Sequence, residues 1–106
     1  MQVTVTNEAK EQIHAAAGHE GKLIRINGEL VGGCGMNVEY ALWWDEAHPA
    51  DELLQVDSLT MAIDPSTKEY IDSDRLVIDY RPQQGFRLVT PQQILAYGLK
   101  LKERWG

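Results

Sequence analysis

The length, composition and charge of the chain limit the kind of protein it encodes. Its 106 residues, 43% of them hydrophobic, are enough for one ordinary core, so we expect a single domain over residues 1–106. A net charge of −6 repels phosphate backbones and anionic lipid, which argues against nucleic acid and membrane surfaces as partners. The N-terminus "MQVTVTNEAKEQ" has no basic stretch followed by an apolar run, and we expect a cytoplasmic protein.

The N-terminal part of the chain predicts a strand followed by a helix. "QVTVT" alternates with Val3 and Val5 on one face, which is typical of a half-buried strand. Thr6 or Asn7 then caps a predicted helix that runs to about Gly18. Small apolar side chains form one stripe of this helix and predict close packing on a sheet: Ala9, Ile13, Ala16 and Ala17.

The middle of the chain predicts three more strands. "KLIRIN" and "NVEYALWW" are strand-like, and a glycine-rich segment connects them. Alternate residues of the second strand share a face: Val38, Tyr40, Leu42 and Trp44. "LTMAID" resumes the period of two after the polar, turn-like segment "DEAHPADEL".

The C-terminal part predicts two helices with two strands between them. Asp64 and Pro65 form a cap and a first helical residue before "STKEYI", and "RLVIDY" and "GFRLV" are strands separated by the turn "RPQQ". Thr90, Pro91 and Gln93 resemble a capping box that starts a final helix. Its apolar stripe is Ile94, Leu95, Gly98, Leu99, Leu101 and Trp105. The predicted fold class is α+β and rich in β, with short mixed strands, an N-terminal helix, a short central helix and a C-terminal helix.

The segment "VGGCGMN" contains Cys34, the only cysteine of the chain, so no internal disulfide can form. Gly32, Gly33 and Gly35 permit positive φ angles and let the backbone approach whatever the sulfur contacts. Two alternatives follow from the residues alone. The glycines either present an exposed thiol, or they shape a tight connection in which Cys34 is a small buried hydrophobe.

The other polar residues do not suggest a reaction. His48 lies beside Asp45 and Glu46, a combination suited to a divalent cation that also occurs by chance in polar loops. The acidic pairs are expected to be solvated in turns: Asp45/Glu46, Asp51/Glu52 and Asp72/Asp74. No nucleophile, base and orienting acid share a local signature, and no phosphate-binding loop is present in the sequence. We therefore do not expect an enzyme.

Several segments resemble those of the HesB-like, A-type iron–sulfur carrier family, both in their residues and in their order along the chain. The matching segments are "TNEAKEQI", "LIRI", "GGCG", "YAL", "MAIDPSTKEYI", "VIDY" and "GFRLVTP". The most specific of them are "GGCG" and "IDPSTKEYI" followed by "IDY", because their order and approximate spacing agree as well. The resemblance covers the chain to about Pro91.

The chain departs from this family at its C-terminal end. The resemblance implies that Cys34 is a ligand to iron or an iron–sulfur cluster, together with two cysteines of a C-terminal Cys-Gly-Cys segment. In this chain the corresponding region, "PQQILAYGLKLKERWG", has no cysteine. One thiol per chain is a quarter of the four thiolate ligands that a cluster usually needs, and a symmetric dimer supplies half.

The resemblance implies a non-enzymatic protein in or near iron–sulfur cluster assembly or transfer. Cys34 is then one ligand to a labile cluster or iron shared within a homodimer, completed by glutathione-like thiols or by an assembly or acceptor protein. The alternative is a metal-free binding or regulatory module that keeps the fold, with Cys34 structural or redox-sensing. A thiol-dependent enzyme is the third hypothesis. We expect Cys34 to be exposed.

Overall fold

The computed structural model describes residues 1–16, 22–32 and 37–103. The helices of this part are α1 (Asn7–Ala15) and α2 (Pro65–Ile71). The strands are β1 (Gln2–Val5), β2 (Leu23–Val31), β3 (Asn37–Asp45), β4 (Glu52–Val56), β5 (Leu59–Ile63), β6 (Arg75–Arg81), β7 (Gly85–Val89), β8 (Ile94–Leu99) and β9 (Leu101–Glu103).

The strands form two mixed sheets. One has four strands in the order β1-β6-β7-β8, and the other has five in the order β4-β5-β2-β3-β9. The pairs β1·β6, β2·β5 and β3·β9 are parallel and the remaining pairs are antiparallel. The predicted α+β fold class, rich in β, is confirmed.

Both helices begin at the caps that the sequence predicts. The Thr6 side chain accepts a hydrogen bond from the backbone N–H of Ala9, and Asp64 does the same for Thr67. Each cap satisfies one of the four backbone donors that a helix leaves free at its start. The first helix is shorter than predicted: it ends at Ala15, and Ala17 and Gly18 lie outside the described residues.

The core is made by alternate residues of both sheets together with one face of each helix. It includes the buried residues Val5, Ala9, Ile13, Ile24, Ile26, Tyr40, Leu42, Trp44, Met61, Ile63, Ile71, Leu76, Ile78, Phe86 and Leu88. In β3 the buried core residues are every second one, as the period of two predicts. The helix stripe of Ala9 and Ile13 is buried as expected.

The predicted C-terminal helix is wrong, because Ile94–Leu99 and Leu101–Glu103 are strands. The Thr90 hydroxyl does accept a hydrogen bond from the Gln93 N–H, but the Thr90 N–H also donates to the Gln93 carbonyl, which closes a turn instead of starting a helix. Gly98 has a φ of 70°, outside the right-handed helical region. β8 follows the turn and pairs antiparallel with β7.

The side chains of this segment explain why its sequence predicts a helix. Apolar residues at 95, 97, 99 and 101 also satisfy a period of two, so the pattern does not distinguish helix from strand. Pairing with β7 and β3 gives the segment ladder hydrogen bonds and partly buries Leu95, Leu99 and Leu101 against the core. Ile94, the first residue of the predicted apolar stripe, is exposed.

Candidate functional site at the hairpin of β2 and β3

The glycine-rich segment connects two paired strands, as predicted. β2 and β3 pair antiparallel from Leu23 and Asp45 at one end to Val31 and Asn37 at the other, so residues 32–36 join them. Gly32 is exposed and has a φ of 110°, a backbone conformation that favours glycine. Cys34 lies outside the described residues, as do Gly33 and Gly35, and their roles stay predictions.

We call the paired residues 23–31 and 37–45 the stalk of the hairpin. The stalk approaches α2 closely at Gly28. A Cβ atom at this position would lie 3.0 Å from Cε1 of Tyr40 and 3.3 Å from Cδ2 of Tyr70. The Gly28 N–H donates to the Thr67 hydroxyl at 2.8 Å, in a buried contact. β5 pairs with β2 only at residues 24–26 of β2. Beyond them, the Thr67 hydroxyl, and not a β5 carbonyl, accepts the hydrogen bond from the Gly28 N–H.

Asp64 fixes the orientation of the Thr67 hydroxyl. The hydroxyl oxygen lies 2.5 Å from Oδ1 of Asp64 and 3.4 Å from the Gly28 carbonyl oxygen. A hydroxyl has one proton to donate, and the shorter contact to a carboxylate is the stronger one. Thr67 therefore donates to Asp64 and accepts from Gly28, so the "IDPST" segment attaches α2 to the stalk.

Asp79, in the "IDY" segment, has a comparable structural role at the start of α1. Its carboxylate accepts hydrogen bonds from the Thr6 hydroxyl at 2.9 Å, the Tyr80 N–H at 2.8 Å and the Arg87 guanidinium at 2.7 Å. The Arg87 contact is the main reason that the pKa of Asp79 lies below its ordinary value. The "IDPST" and "IDY" segments, two of those that support the family resemblance, thus both hold the fold together.

The expectation that Asp45 and Asp51 are solvated is wrong. Arg25 is 4% exposed on β2, and its Nε donates to Asp45 at 2.5 Å. The two terminal guanidinium nitrogens donate to Asp51 at 2.8 and 2.6 Å, and one also donates to the Glu46 carbonyl. The hydrogen bond to Asp51 is the largest cause that raises the pKa of Arg25, and the same contact lowers the pKa of Asp51. A buried guanidinium needs such partners, but the sequence gives no local sign of the pairing.

The basic residues nearest to Cys34 in sequence are paired with carboxylates. Lys22 pairs with Glu46, and Arg25 pairs with Asp45 and Asp51, at the opposite end of the hairpin. Arg25 and Gly32 are seven positions apart in sequence, which corresponds to roughly 20 Å along an extended strand. Both cations therefore lie far from the Gly32 end of the hairpin.

His48 lies near the buried ion cluster that Arg25 forms with Asp45 and Asp51. Its Nε2 lies 3.8 Å from Oδ2 of Asp45, and its backbone N–H donates to Asp51 at 2.7 Å. Both carboxylates are already engaged by Arg25. Among residues 1–16, 22–32 and 37–103, no three His, Cys, Asp or Glu side chains are grouped so that they could hold a metal ion.

An open cleft lies between β3 and β8. Its volume is about 690 Å³. Its lining includes Val38, Glu39, Tyr40, Ile94, Leu95 and Tyr97. Ile94 is 55% exposed and Tyr97 is 71% exposed. Sequence reasoning missed this surface because it assigned both residues to a helix.

The family assignment follows from comparison with known proteins. The sequence model of a family described as iron–sulphur cluster biosynthesis matches residues 1–103. The chain belongs to this family, the HesB-like, A-type carrier family that the motifs indicate. No curated protein matches the chain in sequence.

Solved structures of similar fold include proteins of iron–sulfur cluster biosynthesis. SufA of Escherichia coli, involved in biosynthesis of iron–sulfur clusters, is 18% identical, with a TM-score of 0.65 over 86% of this chain and 82% of SufA. A candidate Fe–S biosynthesis protein from Lactobacillus salivarius is 14% identical, with a TM-score of 0.68 over 97% of this chain and 98% of its own. IscA, solved with a [2Fe-2S] cluster, is 23% identical, with a TM-score of 0.56 over 85% of this chain and 83% of IscA. At these identities the likeness establishes a shared fold.

Family membership assigns the chain a role in iron–sulfur cluster biosynthesis or carrying. Proteins of this family are in general non-enzymatic. In the part of the chain that the structure describes, no helix is long and apolar enough to cross a membrane.

Proposed function

We propose that the chain is a non-enzymatic cytoplasmic protein of iron–sulfur cluster assembly or transfer that offers the Cys34 thiolate to a labile, shared cluster or iron. The observation that carries the proposal is the family match over residues 1–103, which includes Cys34. The stalk on either side of the Cys34 segment is well anchored. Gly28 is bonded to Thr67, and the strands pair up to Val31 and Asn37.

The number of thiolate ligands that the chain supplies limits how firmly it can hold a cluster. Clusters are usually held by four thiolate-class ligands, and this chain has one cysteine. A homodimer that brings two Cys34 sulfurs together supplies two ligands, and glutathione-like thiols or a partner assembly or acceptor protein supply the others. Such a site releases its cluster readily, which suits transfer better than storage.

The test is anaerobic reconstitution with ferrous iron, sulfide and glutathione, followed by visible absorption and iron analysis. The wild type is compared with Cys34→Ser, and with Cys34→Ser/Ser58→Cys, which keeps one thiol but moves it to the exposed turn between β4 and β5. We expect cluster absorption for the wild type only. Equal absorption in all three proteins, or none in the wild type, would contradict the proposal.

A second candidate is a metal-free binding or regulatory module with the same fold. It is favoured by the region after Pro91, where β8 and β9 pair with the sheets and no cysteine is present. In this case Cys34 is structural or redox-sensing. The wild type then yields no cluster absorption in the same reconstitution, and Cys34→Ser changes stability or the response to oxidant.

A further inference from the structure

The cleft between β3 and β8 is bordered by two strand edges that lack ladder partners. β3 pairs with β9 only through Leu42–Trp44, so its residues 37–41 have no ladder partner on that edge within the described chain. β8 is one of the two edge strands of the other sheet. Only Lys100 separates β8 from β9, so the chain continues beside β3, where β8 contacts β3 without pairing to it. Alternate residues of a free strand edge direct N–H and C=O groups outward, where another strand can bind them.

Exposed apolar side chains are concentrated around this cleft. In the described residues the large hydrophobic side chains that are exposed are Leu30 at 43%, Leu53 at 55%, Ile94 at 55% and Tyr97 at 71%. Ile94 and Tyr97 line the cleft, and Leu30 is the cross-strand neighbour of Val38, which also lines it. Apolar surface grouped beside free strand edges is typical of a protein interaction site.

The charge at the rim of the cleft indicates the chemistry of the partner. Glu29 and Glu39 are directly opposite each other in the β2–β3 ladder, and both are exposed. Like charges in this arrangement destabilise a sheet, and a cation placed between them relieves the repulsion. A second copy of this chain, with a net charge of −6, would bring more acidic groups to the rim.

We propose that this cleft binds an extended segment of another protein, which adds as a strand to the edge of β3 at residues 37–41. The segment carries apolar residues that contact Ile94 and Tyr97, and a lysine or arginine that lies near Glu29 and Glu39. Five residues of extended chain span about 17 Å, the length of the free edge. This docking requires neither a cluster nor the Cys34 thiol, so it goes beyond the proposed cluster chemistry.

The proposal is tested by panning a displayed random-peptide library on the Cys34→Ser protein, which removes metal and thiol chemistry. We expect enriched peptides with alternating apolar residues and at least one lysine or arginine. The affinity of the best peptide is then measured by fluorescence anisotropy on variants of the same background. Ile94→Asp and Glu39→Lys should each weaken binding by about tenfold or more.

Leu53→Asp is the matched control, because Leu53 is as exposed as Ile94 and lies on β4, at the opposite edge of the five-stranded sheet from β9. Its affinity should equal that of the parent protein. Amide hydrogen exchange should show new protection in residues 37–41 when the peptide binds, because strand addition pairs these backbone groups.

Several outcomes would overturn the proposal. They are the absence of any enriched peptide, enrichment of acidic peptides, equal loss of binding in Leu53→Asp, and binding without protection of residues 37–41. A self-interface is distinguished by sedimentation: if Ile94→Asp converts a dimer to a monomer and the parent binds no peptide, the occupant is a second copy. Failure of cluster reconstitution leaves each of these results unchanged.

Discussion

The hydroxyl of Thr67, on α2, accepts a hydrogen bond from the backbone N–H of Gly28, on β2, at 2.8 Å. The two residues are separated by 39 positions in sequence, and their contact joins the central helix to the stalk of the hairpin. Tyr40 and Tyr70 fill the space where a side chain at position 28 would lie. The close approach therefore depends on a glycine in the strand and a hydroxyl in the helix.

Thr67→Val tests this contact. Valine has nearly the same shape but leaves the buried Gly28 N–H without its acceptor, so we expect the free energy of unfolding to fall by about 1–3 kcal/mol. Thr67→Ser keeps the hydroxyl and should lose less. Urea denaturation of the three proteins measures the difference. Equal destabilisation by valine and serine would show that the methyl group, and not the hydrogen bond, is important.

Asp64→Ala tests the cap of α2. The substitution removes the acceptor for the Thr67 N–H and the partner of its hydroxyl. We expect a loss of about 1 kcal/mol in the free energy of unfolding, with no change in the alkylation rate of Cys34 in the folded protein. Native stability combined with an altered Cys34 rate would instead give Asp64 a role at the site.

Arg25→Met tests the buried ion cluster. The change leaves Asp45 and Asp51 without their cation in a buried environment, and removal of one partner from such a pair lowers the free energy of unfolding by about 3–5 kcal/mol. Lys22→Met is the matched control on the same end of the hairpin, because its ion pair with Glu46 is at the surface. The control should change stability by less than about 1 kcal/mol. Similar losses for the two variants would contradict the account of the cluster.

The pH dependence of stability should reflect Asp51. Its pKa in the folded chain is held below the ordinary value of 3.8, chiefly by the hydrogen bond from Arg25. The unfolded chain therefore binds a proton at this residue at higher pH than the folded chain does. The stabilisation is present above pH 3.8 and is lost as the pH falls through the folded value.

Asp51→Asn should flatten this acid dependence, whereas Glu69→Gln, a change at an exposed position of α2, should not. Thermal unfolding at a series of pH values between neutral and strongly acidic compares the three proteins. An unchanged acid slope in Asp51→Asn would rule out Asp51 as a contributor.

Cys34 should react as an accessible thiol of ordinary reactivity. Because Lys22 and Arg25 are engaged by Glu46, Asp45 and Asp51, neither cation is available to activate the thiol, and we expect an alkylation rate similar to that of a small free thiol. The measurement is iodoacetamide labelling followed by mass spectrometry, with and without denaturant. A thiol that is inert until denaturant is added would contradict both its exposure and the carrier proposal.

The elements that the sequence determined are those whose signal is local. The alternation of β1 and β3 and the caps Thr6 and Asp64 each depend on neighbours within a few residues. Pro65 at the first turn of α2 likewise needs no distant partner, because its missing N–H is unpaired at that position in any helix.

The tertiary structure decided the features that are stabilised by residues distant in sequence. The apolar residues after Gln93 fit a helix or a strand equally well, and pairing with β7 and β3 made them strands. Asp45 and Asp51 look like solvated turn residues until Arg25, 20 and 26 positions away, is buried beside them. A buried guanidinium requires carboxylates wherever the fold places it, and only the folded chain shows which carboxylates these are.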